Sequence, residues 1–552
     1  MYRLGFHLKL FFLLLVIAPA LFSQEGSSGT KGDILIEEEL EEEFKTLEEE
    51  KDVADDEIIV SGEDELLIRT QKSESDIVIP TDIDSLRWRD SREFLTKKGK
   101  QEGKGKKTSV GSGFYYGLYR NFRFHLDASN NSKYGLFRIL YNRESLAGVG
   151  NDGVSTLPES FFESDRFLFS GDIRFSDTYT MGLGGDFHSY NTGLQQQSSY
   201  SELDKLAGGL FWRHHLTLSE EQTLFLGLSG NFIESRLHKP SAFDLFNTFD
   251  LGLDARWRYI FPERISLEAK AAYRYQNTTL AGGSLQENHL VDASVVALWP
   301  LLLTRMPENQ VTIQLDLVTG VLLFFDPLYG WFPGPEVGLD FRLGGWDSRL
   351  RLAREAGIPD VREYHMEPKY QKMQHFSAAR DAWLLTWKNR VEISPEDHLK
   401  LDGGYYEITN DYDFTRDADG LYSLSPVFNR YGYVEAGYER TLIEGLYAEV
   451  ALRYVSYLGS INLRSPLVLI GALRYESTRI DASLQYLYEG ERTLDGAGIS
   501  PYHNLGFRFL YRINPKVAIY INGENLLNQI FTLYPSYREQ GANVLAGIKI
   551  KL

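Results

Sequence analysis

The sequence of 552 residues contains no cysteine. This absence excludes disulfide bonds, thiolate chemistry and zinc sites built on cysteine. Beyond its N-terminus the chain also has no uninterrupted apolar run of about 18 residues, so it has no candidate for a membrane-spanning helix. If the chain lies in a membrane, it must do so as a closed β-barrel, the other fold that pairs all its backbone groups within lipid.

The motifs of common catalytic sites are absent as well. The chain has no G-x-S-x-G elbow, no H-E-x-x-H helix and no dinucleotide-binding glycine fingerprint. The run Lys97–Lys107 is rich in lysine and glycine, but it lacks the spacing of a phosphate-binding loop and indicates a flexible linker. We therefore expect no catalytic residue, no bound cofactor and no enzymatic activity.

Two groups of possible metal ligands stand out, and neither fits a standard site. His214 and His215 are adjacent, so on a strand they would point to opposite faces and could not share an ion. A second group matches no usual ligand spacing and indicates an exposed polar loop; it consists of His365, Met366, Glu367, Met373 and His375. We expect no metal site.

Negative charge is concentrated near the N-terminus. Residues 24–85 carry 22 acidic and 5 basic side chains, a net charge of −17 out of the −19 of the whole chain. Such a dense block of like charge stays solvated, so we expect residues 24–107 to form a largely disordered leader, acidic first and then basic. The remainder is only mildly acidic, and this predicts no nucleic-acid partner.

The first residues have the pattern of a secretory signal peptide. Arg3 and Lys9 precede the apolar run Leu10–Ala20, which is followed by small residues suited to cleavage up to Ser23. The run is too short to cross a bilayer comfortably. We expect residues 1–23 to be removed on export and the leader to remain in the periplasm.

From residue 108 onward, apolar and polar side chains alternate over segments of ten to fifteen residues. In one segment Phe249, Leu251 and Leu253 oppose Asp250 and Asp254, and the same alternation recurs around residues 265–276, 448–454 and 480–489. Many long alternating strands with a charged second face are typical of an outer-membrane barrel. A secreted propeller or sandwich is the alternative, but it rarely repeats so many long strands.

Connections between these segments have two lengths. Short ones suit periplasmic turns and occur at 261–264, 394–397, 442–445 and 514–516. Longer ones suit extracellular loops and occur at 145–160, 355–377 and 411–424. The alternation predicts an all-β, antiparallel transmembrane β-barrel of about 20–22 strands over residues 108–552, with residues 111–130 forming either one strand or two.

The C-terminal strand has one apolar face and one mostly polar face. Its apolar face is predicted to hold Ala542, Val544, Ala546, Ile548, Ile550 and Leu552, while Asn543, Lys549 and Lys551 lie on the other face. A chain that ends on a strand leaves an open edge, and joining the last strand to the first would cover it.

The segment from Asn514 to Leu552 resembles the C-terminus of TonB-dependent outer-membrane receptors. In that family a Glu-Asn-Leu-Leu-Asn block, here Glu524 to Asn528, ends the penultimate strand, a loop rich in Tyr and Pro follows, and the last strand carries an insertion signal. Gly547, Ile550 and Leu552 occupy the signal positions, although the family usually ends on an aromatic residue. The resemblance implies 22 strands, a Gram-negative type of outer membrane, and contact with lipid and the barrel-assembly machinery.

A second short segment resembles the TonB box, the strand that these receptors offer to an energy-coupling protein. It comprises Glu57, Ile58, Ile59, Val60, Ser61 and Gly62, and coupling would occur by β-augmentation. In the family a plug domain of well over a hundred residues follows, whereas only about fifty residues separate this segment from the predicted barrel. We therefore expect the plug to be missing or degenerate.

The resemblance implies a receptor that takes part in uptake of a small ligand, with a TonB-like protein as a possible partner. The alternative is a plugless, porin-like channel, or a structural barrel that scaffolds a periplasmic or surface partner. A barrel of about 22 strands is wide and normally has a filled lumen. The N-terminal segment, long loops folded inward, or a separate plug protein would have to fill it.

Overall fold

The computed structural model describes residues 108–551 except 133–134, 149–156, 240–241, 263–264, 281–282, 284, 307–310, 327–329, 358–369, 373–379, 460–461, 533, 535 and 540. The predicted signal peptide, the acidic leader and the segment Glu57 to Gly62 lie outside the described residues. So do the loop side chains His365, Met366, Glu367, Met373 and His375, and the terminal Leu552. Within the described residues, no helix is long and apolar enough to cross a membrane.

The described residues form 24 β-strands and one 3-10 turn at Leu118–Arg120. In chain order the strands are β1 Thr108–Gly117, β2 Phe122–Ser132, β3 Gly135–Leu146, β4 Phe162–Ser176, β5 Tyr179–Gly193, β6 Glu202–Ser219, β7 Gln222–His238, β8 Phe243–Ile260, β9 Ser266–Thr279, β10 Leu285–Met306, β11 Val311–Asp326, β12 Gly330–Leu343, β13 Trp346–Gly357, β14 Arg380–Ser394, β15 Asp397–Arg416, β16 Tyr422–Ile443, β17 Leu446–Tyr457, β18 Leu467–Glu476, β19 Ile480–Glu489, β20 Arg492–Leu494, β21 Ala497–Ile499, β22 Tyr502–Asn514, β23 Val517–Glu524 and β24 Asn543–Lys551.

Twenty-two of these strands close into one antiparallel barrel. Each strand pairs with the next along the chain, and β19 pairs directly with β22 because β20 and β21 form a separate small hairpin. The ring closes where β24 pairs with β1, from Gly111 opposite Lys551 to Gly117 opposite Leu545. The predicted closed barrel is therefore confirmed at 22 strands, and residues 111–130 contribute two of them.

The two ends of the barrel differ as the connector lengths predicted. At one end, which we call the turn end, strands join through tight turns such as those between β14 and β15 and between β16 and β17. β1 begins and β24 ends at this same end. At the other end, the loop end, the longer connectors gather, including 147–161 between β3 and β4 and 358–379 between β13 and β14.

The outward face of the barrel is apolar. On β24 the side chains of Val544, Ile548 and Ile550 are exposed and point outward, so the alternate residues Lys549 and Lys551 face the lumen. The same alternation gives an exposed apolar belt around the ring, which includes Trp212, Leu253, Trp299, Leu350, Leu385, Val434, Leu452 and Leu484. Large apolar side chains exposed over a whole surface are costly in water and are typical of a face that contacts lipid.

The belt is shorter than the longest strands. On β16 the outward-facing positions between Arg430 and Arg440 are uncharged. At the limit of the belt nearer the loop end, Arg430 forms an outward salt bridge with Glu407 of β15 at 3.1 Å. A strand crosses a bilayer in about 9–11 residues, whereas β16 has 22. The parts of β15 and β16 nearest the loop end therefore extend beyond the belt.

Glycine and tyrosine pack together where the barrel closes. A Cβ atom at Gly547 would collide with the carbonyl oxygen of Phe114 and the ring of Tyr115. The Tyr115 ring lies over this glycine and packs edge-on against Tyr520, with centroids 4.9 Å apart. This packing explains why glycine occupies the predicted insertion-signal position 547, because only a hydrogen atom leaves room for the Tyr115 ring that covers the joint.

The Glu-Asn-Leu-Leu-Asn block also has structural roles. Glu524 accepts hydrogen bonds from Arg123 of β2 at 3.1 and 3.4 Å, which links strands on either side of the closing pair β24–β1. Asn525 and Asn528 both have positive φ, and their side chains bond the backbone of Gln529 and the amide of Ala542. The block therefore ends β23 and fixes the start of β24.

Candidate functional site at the mouth of the barrel

The hairpin that joins β15 to β16 folds over the loop end of the barrel. Its register breaks between Ile408 and Asp411, and Asn410 inside this β-bulge has a φ of 58°. Asp411, Tyr412, Asp413 and Phe414 are all buried, although successive residues of a strand point to opposite faces. A β-bulge bends its strand, so the hairpin leaves the cylinder here. We call residues 411–424 the mouth hairpin.

The prediction of an extracellular loop at 411–424 is wrong in its secondary structure. Most of this segment is strand, and the turn between the strands is only residues 417–421. Alternation of Asp411 and Asp413 with Tyr412 and Phe414 was compatible with a strand. The sequence does not reveal that Asp411 and Asp413 are buried, because partners such as Arg464 and Asn462 lie about fifty residues further along the chain.

The tip of the mouth hairpin meets the connector between β5 and β6. The backbone N–H of Ser199 donates to the carbonyl oxygen of Asp419 at 3.1 Å. β6 and β16 are ten places apart in a ring of 22 strands, so they stand almost opposite each other. The hydrogen bond therefore joins two connectors across the mouth of the barrel.

A third connector, between β23 and β24, reaches the same point. The Gln195 side chain donates to the carbonyl oxygen of Arg538 at 3.0 Å and accepts from the Arg538 N–H at 3.0 Å. Gln195 also donates to the hydroxyl of Tyr370 at 3.2 Å, and Tyr537 donates to the carbonyl oxygen of Gly420 at 3.1 Å. Connectors from three well-separated parts of the ring are thus bonded together over the lumen.

An aromatic core fills the junction of these connectors. The rings of Tyr370 and Tyr537 stack with centroids 3.8 Å apart, and Tyr534 packs against Tyr370 and Tyr422. The buried members of this mouth cluster are Tyr190, Leu194, Tyr200, Leu203, Ala207, Ile233, Leu237, Tyr370, Tyr412, Phe414, Leu421, Tyr422, Leu424, Leu463, Leu494, Ile499, Tyr502, Phe531, Tyr534 and Tyr537. Because residues of β5, β6 and β7 belong to it, the mouth hairpin packs against the wall opposite its own strands.

A buried ion pair holds the base of the mouth hairpin. Asp411 is 1 % exposed and lies 3.4 Å from Arg380 and 3.6 Å from Arg464, and it accepts a 2.7 Å hydrogen bond from Asn429. Burial alone would raise the pKa of Asp411, but the two guanidinium groups and the amide outweigh it, and the pKa lies below its ordinary value. Asp411 is therefore a charged anchor, and loss of either partner would leave a buried charge poorly compensated.

Asp413 forms a second anchor through backbone groups. Its carboxylate accepts from the N–H of Asn462 at 2.9 and 3.1 Å and from the N–H of Phe414 at 3.0 Å. Burial raises the pKa of Asp413 to about 6, even though these hydrogen bonds and Arg464 oppose the shift. Asn462 in turn donates to the carbonyl oxygen of Phe414 and accepts from the N–H of Asp495, which ties three connectors together.

The inner wall below the mouth hairpin combines tyrosine with paired charges. Tyr406 and Tyr431 stack with centroids 5.0 Å apart, and Tyr433 lies beside them with Arg453 over its ring. Further along the wall, Arg351 forms ion pairs with Glu336 and Glu355. The three tyrosines are buried in a packed cluster of the wall, whereas the charged groups of Arg351 and Glu336 remain partly exposed.

The two adjacent histidines lie on a strand. His214 and His215 are consecutive in β6, so their side chains point to opposite faces, and His214 bonds the hydroxyl of Tyr179 at 2.8 Å. A different group was missed: one ligand atom each of Glu202, Asp204 and His238 lie within 4.8 Å of one another. These residues come together only through the pairing of β6 with β7, which sequence spacing does not reveal.

The Glu202–Asp204–His238 group faces away from the lumen. On β6 it shares the outward parity of Leu210 and Trp212, whereas the alternate residues belong to the mouth cluster. His238 bonds Asp204 at 2.9 Å, and Asn191 bonds Glu202. The group is thus a hydrogen-bonded cluster on the outer rim and no part of the mouth.

The sequence matches no protein-family model and no curated protein. Its structure is similar to many solved structures at low sequence identity, and three of them are described here. The FrpB iron transporter from Neisseria meningitidis (F3-3 variant) has a TM-score of 0.62 at 10 % identity, covering 82 % of both chains. The copper transporter OprC has a TM-score of 0.60 at 12 % identity, covering 81 % of this chain and 82 % of its own.

The siderophore receptor PirA from Acinetobacter baumannii has a TM-score of 0.62 at 10 % identity, covering 82 % of this chain and 81 % of its own. At such identities the likeness concerns the fold. It agrees with the closed ring of 22 strands and with the resemblance carried by residues 514–552. The chain has the barrel fold of the TonB-dependent outer-membrane receptors.

Proposed function

We propose that the protein is an outer-membrane receptor that takes up a small ligand through its barrel. The observation that carries this proposal is a mouth closed by the protein's own connectors above a lumen lined with tyrosines and charged groups. The apolar belt fits residence in a bilayer, and the similar structures are those of transporters and a receptor. In such a receptor the loop end of the barrel faces the outside of the cell and the turn end faces the periplasm.

The closed mouth argues against the alternative of a passive porin-like channel. A porin needs a continuous aqueous path, whereas here three connectors are bonded to one another over the lumen. A ligand that enters such a barrel must displace these contacts, and that requirement favours a receptor selective for its ligand. Nothing in the described part of the chain favours a scaffold role.

We further propose that Glu57, Ile58, Ile59, Val60, Ser61 and Gly62 couple uptake to a TonB-like partner. The support is their sequence, a short and mainly apolar run within the acidic part of the leader, which suits addition as a strand to a partner's sheet. We also propose that residues 24–107 lie in the periplasm, because β1 begins at the turn end of the barrel.

Deletion of residues 57–62 tests receptor and coupling together. Cells that carry the intact chain should accumulate one of two probes, radiolabelled ferric enterobactin or Cu²⁺, and the deletion should reduce accumulation at least about tenfold. A control deletion of six residues from the acidic block, 37–42, should leave accumulation unchanged. If neither probe enters and the purified chain shows a large constant current in a planar bilayer, the protein is a channel and the receptor proposal is wrong.

A further inference from the structure

Two carboxylates and one imidazole meet on the outer rim of the barrel, where β6 pairs with β7. Glu202 stands directly opposite His238 in the register, and Asp204 is two residues further along the same face of β6. One ligand atom of each residue lies within 4.8 Å of the other two, and the Nε2 atom of His238 is 2.9 Å from the Oδ2 atom of Asp204. Ligand atoms bound to one Zn²⁺ ion lie about 3–4 Å apart, because Zn–N and Zn–O bonds are about 2.0–2.2 Å long. Small side-chain rotations would therefore bring all three atoms onto one ion.

The backbone beneath this group is paired up to the end of both strands. β6 and β7 pair without interruption from Glu202 opposite His238 to Thr217 opposite Thr223. Just beyond the strand, the N–H of Ser201 donates to the carbonyl oxygen of His238 at 3.0 Å. Side chains carried by rigid strands lose little freedom when they bind an ion. The entropic cost of assembling a site here is therefore confined to three side chains.

The charge of the group suits a divalent cation. Arg236 lies opposite Asp204, but it forms an ion pair with Glu234 on its own strand, and that pair is neutral as a whole. Glu202 and Asp204 add two negative charges to the same outward face. Imidazole nitrogen and carboxylate oxygen are both ligands that Zn²⁺ binds in proteins, and two carboxylates balance its charge.

A neighbouring amide gives independent support for a cation. Asn191 of β5 lies opposite Asp204 in the register, and its Nδ2 atom donates to the Glu202 carboxylate. The side-chain oxygen of Asn191 is buried and has no hydrogen-bond partner among the residues that the structure describes. Both atoms belong to one amide, so the unpaired oxygen lies next to the Glu202 carboxylate. An unpaired buried acceptor is costly, and a cation beside it would remove that cost.

We propose that Glu202, Asp204 and His238 form a Zn²⁺ site on the outer wall of the barrel. The ion replaces the hydrogen bond between His238 and Asp204, and it joins β6 to β7 where the two strands end at the loop end. Three protein ligands leave a fourth position, which water takes because all three residues are partly exposed. The site faces away from the lumen, so it goes beyond the proposed uptake function and does not rest on it.

Calorimetric titration of Zn²⁺ into the purified chain tests the site. The chain from residue 24 onward is freed of metal with a chelator, held in detergent and purified with a tag that contains no histidine. We expect Zn²⁺ binding that His238→Asn weakens at least about a hundredfold, since removal of a group that merely orients a ligand already costs about 10–100-fold. Ca²⁺ at equal concentration should not compete, because it takes oxygen ligands.

His503→Asn is the matched control. His503 also faces outward near the loop end, on β22, and lies 2.6 Å from the hydroxyl of Tyr486. Its loss should leave Zn²⁺ binding unchanged. As a second readout, Zn²⁺ should raise the urea concentration that shifts the gel mobility from folded to unfolded barrel, because an ion that binds only the folded state stabilises it. The rise should occur in the intact chain and in His503→Asn, but not in His238→Asn.

Zn²⁺ binding of equal strength in the intact chain and in His238→Asn would overturn the site, because other residues would then hold the ion. Failure of the folded, intact chain to bind Zn²⁺ would also overturn it and leave only a hydrogen-bonded cluster. Competition by Ca²⁺ at equal concentration would contradict an imidazole ligand. None of these results depends on ligand uptake, so failure of this site and failure of the receptor function can be told apart.

Discussion

At the scale of single residues, the closing joint of the barrel depends on one glycine. A side chain at Gly547 would meet the backbone of Phe114 and the ring of Tyr115, neither of which can yield without disturbing the pairing of β24 with β1. Gly471 of β18 offers a contrast, since a Cβ there would have no neighbour within 4 Å. The two glycines look alike in sequence but differ in what surrounds them.

We therefore predict that Gly547→Ala destabilises the barrel by about 1–3 kcal/mol through overpacking at the joint. Gly471→Ala should change the free energy of unfolding by much less. Urea titration followed by the shift in gel mobility between folded and unfolded barrel would measure both. Equal stability of the two variants would show that the packing of Tyr115 over Gly547 does not hold the joint.

The resemblance at residues 514–552 identified Gly547 as important, but it could not give the reason. The ring that needs the space belongs to Tyr115, more than four hundred residues earlier in the chain. The same holds for the Glu202–Asp204–His238 group, which strand pairing brings together. Sequence periodicity assigns a residue to a face of its strand, whereas contacts between strands depend on register.

At the scale of elements, the sequence predicted most strands and turns because alternation has one physical cause along the barrel wall. One face meets the apolar exterior and the other meets the lumen, so the period of two persists. The strands of the mouth hairpin were not predicted, because both faces of the hairpin are buried and its aspartates are compensated by Arg464 and Asn462 from another connector. Burial of a charged residue cannot be inferred when its partner is unknown.

The burial of Asp413 makes the mouth hairpin sensitive to pH. The pKa of Asp413 is about 6 in the folded protein, against an ordinary value of 3.8. A raised carboxyl pKa means that the folded state binds the proton more tightly, so the stabilising contribution of this group is greatest below pH 4 and is lost as pH rises towards 6. Above pH 6 to 7 the contribution is constant.

We predict that the amides of the mouth hairpin are better protected from hydrogen exchange at pH 5 than at pH 7.5, after correction for intrinsic exchange rates. In Asp413→Asn, which does not ionise, this difference should shrink. Amides of β18, which lies outside the mouth, serve as the internal reference. A pH effect of the same size in Asp413→Asn would assign it to another group.

At the scale of the whole barrel, the described residues form a cylinder with an apolar outer face, closed by the pairing of β24 with β1 and covered at one end by its own connectors. The sequence predicted the closure and the strand number through alternation and resemblance. It left open how the mouth would be covered, since that depends on contacts among residues 195, 370, 420 and 538, far apart in the chain.

Sedimentation velocity of the purified chain from residue 24 onward, with and without detergent, tests the central claim most directly. The exposed apolar belt predicts a monomer that is dispersed only within a detergent micelle and that aggregates when detergent is removed. A compact monomer that stays in solution without detergent would contradict the account, because a barrel with this outer face cannot remain dispersed in water.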